Sequence, residues 1–231
     1  MVKAVLVLLA TLAFSAGAYL VTFTGFAPEQ FPVPQVNPPV QPAGYAFAIW
    51  GVIFLWLLAS AAFGVLRRAH DPVWDATRWP LFVSFVIGAG WNTVALQSPV
   101  WATVMIWAML VTALLGLFAA EKSDRPWLAW PIGLYAGWLT AASSVAIGLL
   151  LAGYGILGEI PAAVMAILLA VGLAAIFLSR TGNPAYGAAA AWALIGVMVQ
   201  NLGSDTLLVV AGALGILALA AALWSGRRSL A

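Results

Sequence analysis

The chain has 231 residues, 65% of them hydrophobic and only 7% charged, with 12 Trp, a single His and no Cys. An ordinary soluble domain is about 45 to 50% apolar and about 25% charged, so a water-soluble fold is excluded. A net charge of +2 carried by so few basic residues offers no patch for nucleic acid, and the lack of Cys removes disulfides, thiolate-bound metals and Cys nucleophiles. One His rules out multi-histidine metal sites.

The apolar residues fall into runs of about 20, the length a helix needs to cross a hydrocarbon core of roughly 30 Å at about 1.5 Å per residue. A transmembrane barrel would instead show strands of about 10 residues alternating polar and apolar side chains. No such alternation occurs, so the expected fold is all-α: a polytopic membrane helical bundle. Eight transmembrane helices are predicted, at 5–23, 44–66, 80–97, 99–119, 127–151, 160–179, 184–201 and 206–224, none containing Asp, Glu, Lys or Arg.

This division sorts the charges. Lys3, Arg67, Arg68, Arg78, Lys122, Arg125, Arg180, Arg227 and Arg228 all fall on one side, whereas the opposite links carry Glu29, Glu159 and Asp205. The positive-inside rule then puts both termini in the cytoplasm of a multi-pass protein of a cell membrane, of the bacterial inner-membrane type. Dropping or adding a span would scramble the pattern.

In chain order, the first span also has the layout of a cleavable signal peptide: Lys3, an apolar run over 4–14, then small residues over 15–18. We read it as the first membrane helix. Residues 24–43 hold six of the 13 prolines (Pro28, Pro32, Pro34, Pro38, Pro39, Pro42), which makes this outer segment stiff and non-helical, either a rigid connector or a lid and pocket wall. Residues 67–79 read as a cytoplasmic loop, with Trp74 and Trp79 at headgroup level. His70 beside Asp71 in that loop reads as a solvated side chain rather than a metal ligand.

No ionisable group is expected at membrane depth, which argues against an ion-driven pump. Asn92, Thr93, Gln97, Ser143, Ser144, Gln200 and Asn201 are the polar groups there, and hydrogen bonds between helices account for most of them. Trp74, Trp79, Trp101, Trp127, Trp130 and Trp224 lie at span ends, where an interfacial belt explains them; Trp50, Trp56, Trp91, Trp107, Trp138 and Trp192 lie deeper. Helical spacing puts Phe47, Trp50 and Phe54 on one face of the second span, with Tyr45 near its outer end, and Tyr135, Trp138 and Ala142 on one face of the fifth. The two stripes either pack together or flank a flat apolar slot. Gly133 and Gly137 form a G-x-x-x-G on the fifth span, Gly88 and Gly90 thin the third, and the alanines at 188–191 thin the seventh.

Residues 37–56, NPPVQPAGYAFAIWGVIFLW, run from a proline-rich loop into an aromatic helix with an I-W-G-x-x-F core, and residues 130–146 read WPIGLYAGWLTAASSVA. Both resemble the translocator-protein family, also called tryptophan-rich sensory proteins (TspO/MBR). Tyr135, Trp138 and Ala142 match the family's fifth-helix pattern position by position, and Trp91 with Asn92 matches the Trp and Asn of its third helix. Three positions depart from the pattern: Gly44 stands where a Trp is usual, Ala146 where an Asn is common, and Ala95 where the third helix has a second Trp. The similarity covers roughly residues 1–150. It implies a five-helix unit over 1–152, with residues 153–231 adding three transmembrane helices that pack beside it or meet another membrane protein.

The resemblance also implies a ligand cavity beneath the first long loop, walled by helices 2 and 5. On that analogy Trp50 and Trp138 are ring-stacking walls, Phe47, Phe54 and Tyr135 flanking contacts, Ala142 the small residue that leaves room, and Asn92 the polar contact; Tyr45 and Trp91 complete the expected ligand-binding set. The expected function is a non-catalytic membrane receptor or carrier for a hydrophobic, tetrapyrrole-like ligand, serving sensing or transport. The alternative is an accessory or assembly subunit of a larger membrane complex. No cofactor is required on this reading, although a porphyrin or other hydrophobic molecule would be bound. The expected partners are the lipid bilayer, that small molecule, and a second copy or a larger complex, but not nucleic acid. Catalysis is not expected, since the sequence supplies no nucleophile–base pair, metal cluster or buried acid.

Overall fold

A computed structural model describes residues 1–120 and 124–229. Among them the chain is 80% helical with no strand, in eight helices: α1 (Val2–Leu20), α2 (Ile49–Arg67), α3 (Pro72–Ala95), α4 (Pro99–Ala120), α5 (Ala129–Gly153), α6 (Glu159–Thr181), α7 (Pro184–Gln200) and α8 (Thr206–Ser229). Six helical stretches are long and apolar enough to cross a membrane; α3 and α7 are not among them. Helix α7 has 17 residues, and α3 carries Asp75 and Arg78 in its first two turns.

Helix α5 is the centre of the molecule. It packs against α4 and, more lightly, α2 on one side, and against α6 and α7 on the other, so most of its side chains are buried. The G-x-x-x-G faces α7. A Cβ on Gly133 would lie 2.5 Å from the Asn183 side chain, and one on Gly137 would run into the Tyr186 carbonyl oxygen. Asn183 is the cap of α7: its Oδ1 accepts from the backbone N–H of Ala185 and Tyr186 while its Nδ2 donates to the Ala129 carbonyl at 2.8 Å. Gly182, in the left-handed region at φ 56°, ends α6 just before it.

The expected loop over 67–79 is largely helix. Asp71 caps α3, its Oδ1 accepting from Val73 N–H at 2.9 Å and Trp74 N–H at 3.2 Å, and Pro72 occupies the first turn, where its missing N–H costs nothing. Helix α3 therefore starts about two turns before the expected Pro80, which sits inside the helix. The helix continues through Pro80 because Trp74, Thr77, Arg78 and Leu81 all bury on these turns. Trp74 is not at headgroup level. It is 4% exposed, seated on Gly64 of α2, and its indole N–H donates to the Asp124 carboxylate at 2.9 Å. Trp79, Trp101, Trp127 and Trp224 are exposed, while Trp130 is half-buried against the core. The second span also differs at its start: Gly44–Ala48 is a 3-10 turn, and the α-helix begins at Ile49.

Contacts tie the helix ends that carry the basic residues into one end of the bundle. Lys3 pairs with Asp75 at 2.5 Å, Asn183 reaches Ala129, and Gly226 lies against Leu178 and Ser179. Arg68 grips Asp124 through Nε at 2.6 Å and Nη2 at 3.1 Å. The Arg68 hydrogen bonds and charge, with the Trp74 donor, hold the Asp124 carboxyl below the usual carboxylate range. Trp56 adds a bond from its indole to the Pro126 carbonyl at 2.8 Å, and Phe63 stacks on Trp127 at 4.8 Å. Together these fasten one end of α2 to the segment leading into α5. Lys122 lies outside the described residues.

At the other end, residues 21–43 form a strap with one short 3-10 turn at Pro28–Gln30. Gln30 Nε2 donates to the Ala95 carbonyl, Val33 N–H to Gly153, Ala43 N–H to Gly196, and Asn201 Nδ2 to Pro39, which pins the strap to α3, α5 and α7. Phe31 fills the space above Gly153. Asn201, expected to hydrogen-bond between helices, instead joins the end of α7 to the strap.

Candidate functional site

The described residues line an apolar chamber of about 400 Å³ between α1, α2, α3, α4 and α5, open on the side of the exposed Tyr19 and Gly51. Its aromatic wall comes from α2 and the turn before it. Phe47 meets Trp138 edge-on at 5.8 Å, Trp50 meets Trp138 edge-on at 6.3 Å, and Trp50 stacks on Phe54 at 5.2 Å with 20° between the rings. Edge-to-face pairs favour contact of a positive rim with a negative ring face, so these rings lock each other without filling the space in front of them.

Seven of the nine expected contacts line this chamber: Phe47, Trp50, Phe54, Trp91, Asn92, Trp138 and Ala142. The geometry differs from two facing indoles. Trp50 and Trp138 touch, and the open space lies between that pair and α1, α3 and α4. Tyr135 is elsewhere: it is fully buried, its hydroxyl is 2.9 Å from Ser84 Oγ, and its ring packs on Phe14, Trp50 and Phe85 behind the wall. Tyr45 is 45% exposed and meets Trp192 edge-on at 5.6 Å, away from the chamber. Trp192 also donates its indole N–H to the Ala46 carbonyl, fixing the turn that carries Phe47.

Asn92 has a definite role in shape. Its Nδ2 donates to the Val21 carbonyl at 2.6 Å, so it holds the unwound end of α1 against α3 at the chamber rim. Trp91 donates its indole N–H to the Ala102 carbonyl and meets Phe23 edge-on at 5.0 Å. The buried indole N–H of Trp138 has no partner in the protein.

The sequence reasoning missed the α1 and α4 walls: Phe14, Ser15, Ala18, Tyr19, Thr22 and Phe23 from the first helix and its exit, and Ile106 and Met109 from the fourth. A signal existed in the first span. Ser15, Tyr19 and Thr22 recur at i, i+4 and i+7, a polar stripe on a helix that has little other reason to carry one. Phe14 seats on Gly88 of α3, where a Cβ would come within 2.6 Å of its ring, so the thinning of the third span serves the first helix. No comparable signal marks Ile106 or Met109.

A helical bundle with six long apolar helices, four of which wall an aromatic chamber together with α3, defines a multi-pass membrane protein with a built-in apolar compartment. The chain belongs to the TSPO-like protein family, whose model matches residues 2–224. The match runs on through the last three helices, beyond the roughly 150 residues that carry the Trp-rich motifs, so the family covers α6 to α8 as well. No curated protein and no solved structure matches the chain. Family membership makes this a membrane protein of the ligand-binding or sensory kind.

Proposed function

We propose that the chain is a non-catalytic receptor or carrier that holds a flat hydrophobic, tetrapyrrole-like molecule in the chamber, in a cell membrane with both termini cytoplasmic. The observation that carries this reading is the chamber itself. Its volume of about 400 Å³, with an open side, suits a flat ring system inserted edge-first between the helices. Ligand pockets of about 300 to 1,000 Å³ walled by aromatic side chains with a few polar groups are the common small-molecule site. Here the polar groups are Ser15, Tyr19, Thr22 and Asn92. The clustering of the described basic residues at one end supports the orientation.

The test is a titration of purified protein with protoporphyrin, followed by tryptophan fluorescence. Wild type should show saturable quenching, and Ala142→Phe, which puts a ring into the chamber, should bind at least about tenfold more weakly. Equal quenching of the two would overturn the proposal. A protein that ignores porphyrin yet elutes with other membrane proteins in mild detergent would favour the assembly subunit instead.

A further inference from the structure

Beside the chamber lies a smaller apolar compartment of about 60 Å³. Phe23, Phe47, Trp91, Ile106, Trp138 and Ala142 line both spaces, so only side chains stand between them. The small compartment differs in its floor and roof. Ala141, Ala146 and Leu149 of α5 and Ala193 of α7 form the floor, and Gln41 with Pro42 of the strap forms the roof. All four floor residues are buried. The space exists because three of them end at Cβ, while Pro42, lodged over Gly196, keeps the strap from collapsing onto them.

We propose that this compartment is a specificity pocket taking one apolar branch of the ligand whose ring system occupies the chamber, and that α7 shares in ligand selection through Ala193. The proposal rests on the reading of the chamber as a ligand site. At about 60 Å³ the compartment is too small for a ring system and suits a short alkyl or single isoprenoid branch. Its lining offers one amide, Gln41, so a charged branch would lose its hydration without replacement. An apolar branch would fill a void that otherwise forfeits van der Waals contact on all sides.

The experiment uses two porphyrins that are identical except at one peripheral carbon, which bears methyl in one and n-pentyl in the other. Each is titrated into the full-length protein in the same detergent. Both probes partition into micelles equally whatever the protein variant, so comparison between variants isolates the pocket. Wild type should favour the pentyl porphyrin by about tenfold; leaving a micelle gains nothing by the hydrophobic effect, so the preference comes from the contacts the branch gives to the walls of a space otherwise empty. Ala146→Leu and Ala193→Leu should bring that preference to within about twofold while leaving affinity for the methyl porphyrin unchanged, which also shows that the variants fold. Leu149→Ala, which enlarges the floor, should shift the preference toward n-heptyl; this carries the test if the leucine variants do not fold. If the methyl porphyrin binds but no floor variant changes the preference, the specificity pocket is overturned and the chamber reading stands. If wild type binds neither porphyrin, the chamber reading falls and takes the pocket with it.

Discussion

The two flanks of α5 solve the packing problem in opposite ways. Toward α6 and α7, glycine and alanine let helices approach until side chain meets backbone, as at Gly137 and the Tyr186 carbonyl. Toward α2, α1 and α3, large rigid rings meet edge to face and leave about 400 Å³ in front of them. In a membrane the helices gain little from hiding apolar surface, since lipid is equally apolar, so close contact and hydrogen bonds do the holding. A flank built from small residues is therefore a fastening, and one built from interlocked rings can remain hollow.

The contrast breaks most sharply at Gly137. Gly137→Ala sets a methyl group against the backbone of α7, which cannot move without unseating Tyr186 and its 2.6 Å contact with Thr140 Oγ1. Stability should fall by about 3 kcal/mol, the upper range of overpacking, read as a lower midpoint in an SDS unfolding titration. An unchanged midpoint would mean that α5 and α7 are not fastened there. Asn183→Ala should cost somewhat less, about 2 kcal/mol, by removing the α7 cap and the hydrogen bond that ties it to the start of α5. Recovery of part of that loss in Asn183→Ser, which can cap α7 but cannot reach Ala129, would separate the two effects.

On the hollow flank, α2 depends on its end clamp. Asp124→Asn keeps a residue that tolerates the left-handed backbone there, at φ 40°, but removes the charge that Arg68 and Trp74 grip. The pair is partly exposed, so the loss should be only about 1 kcal/mol. Its pH dependence gives the sign. A carboxyl held below its ordinary value, about 3.9, contributes fully above that value and loses its contribution as pH falls through the lowered folded value. The stability gap between wild type and Asp124→Asn should therefore be constant from about pH 7 to 5 and shrink below about pH 4. Asp75, also held low by Lys3, cancels in that difference because both proteins contain it. A gap that opened on acidification would reverse the assignment.

The helices were legible because a run of apolar residues long enough to span a bilayer has few other uses, and the charges between runs fixed their limits. The start of α3 was hidden by Pro80 and by the charges on Asp75 and Arg78; the Asp71-Pro72 pair that caps it is a local signal weaker than either. In the candidate site, the α2 and α5 stripes brought Trp50, Phe54, Trp138 and Ala142 to the chamber because helical phase is a property of the segment alone. Tyr135 shares that phase but its ring turns behind the wall to reach Ser84 on α3, a partner 51 residues away that periodicity cannot reveal. Tyr45, included by resemblance and not by helical phase, sits in the 3-10 turn at Gly44–Ala48 and packs on Trp192.

The smallest expected effect is the most discriminating. Ala142→Leu enlarges a side chain on α5 just as Gly137→Ala does, by more atoms, and only five residues along the same helix. Its added methyl groups enter the chamber rather than a neighbouring helix. Stability should change by less than about 0.5 kcal/mol, or rise slightly as the leucine fills space that now lacks contacts, whereas Gly137→Ala should be severely weakened. Comparable losses in both variants would mean that the rings close over Ala142 in solution and that the hollow flank is as tightly packed as the other.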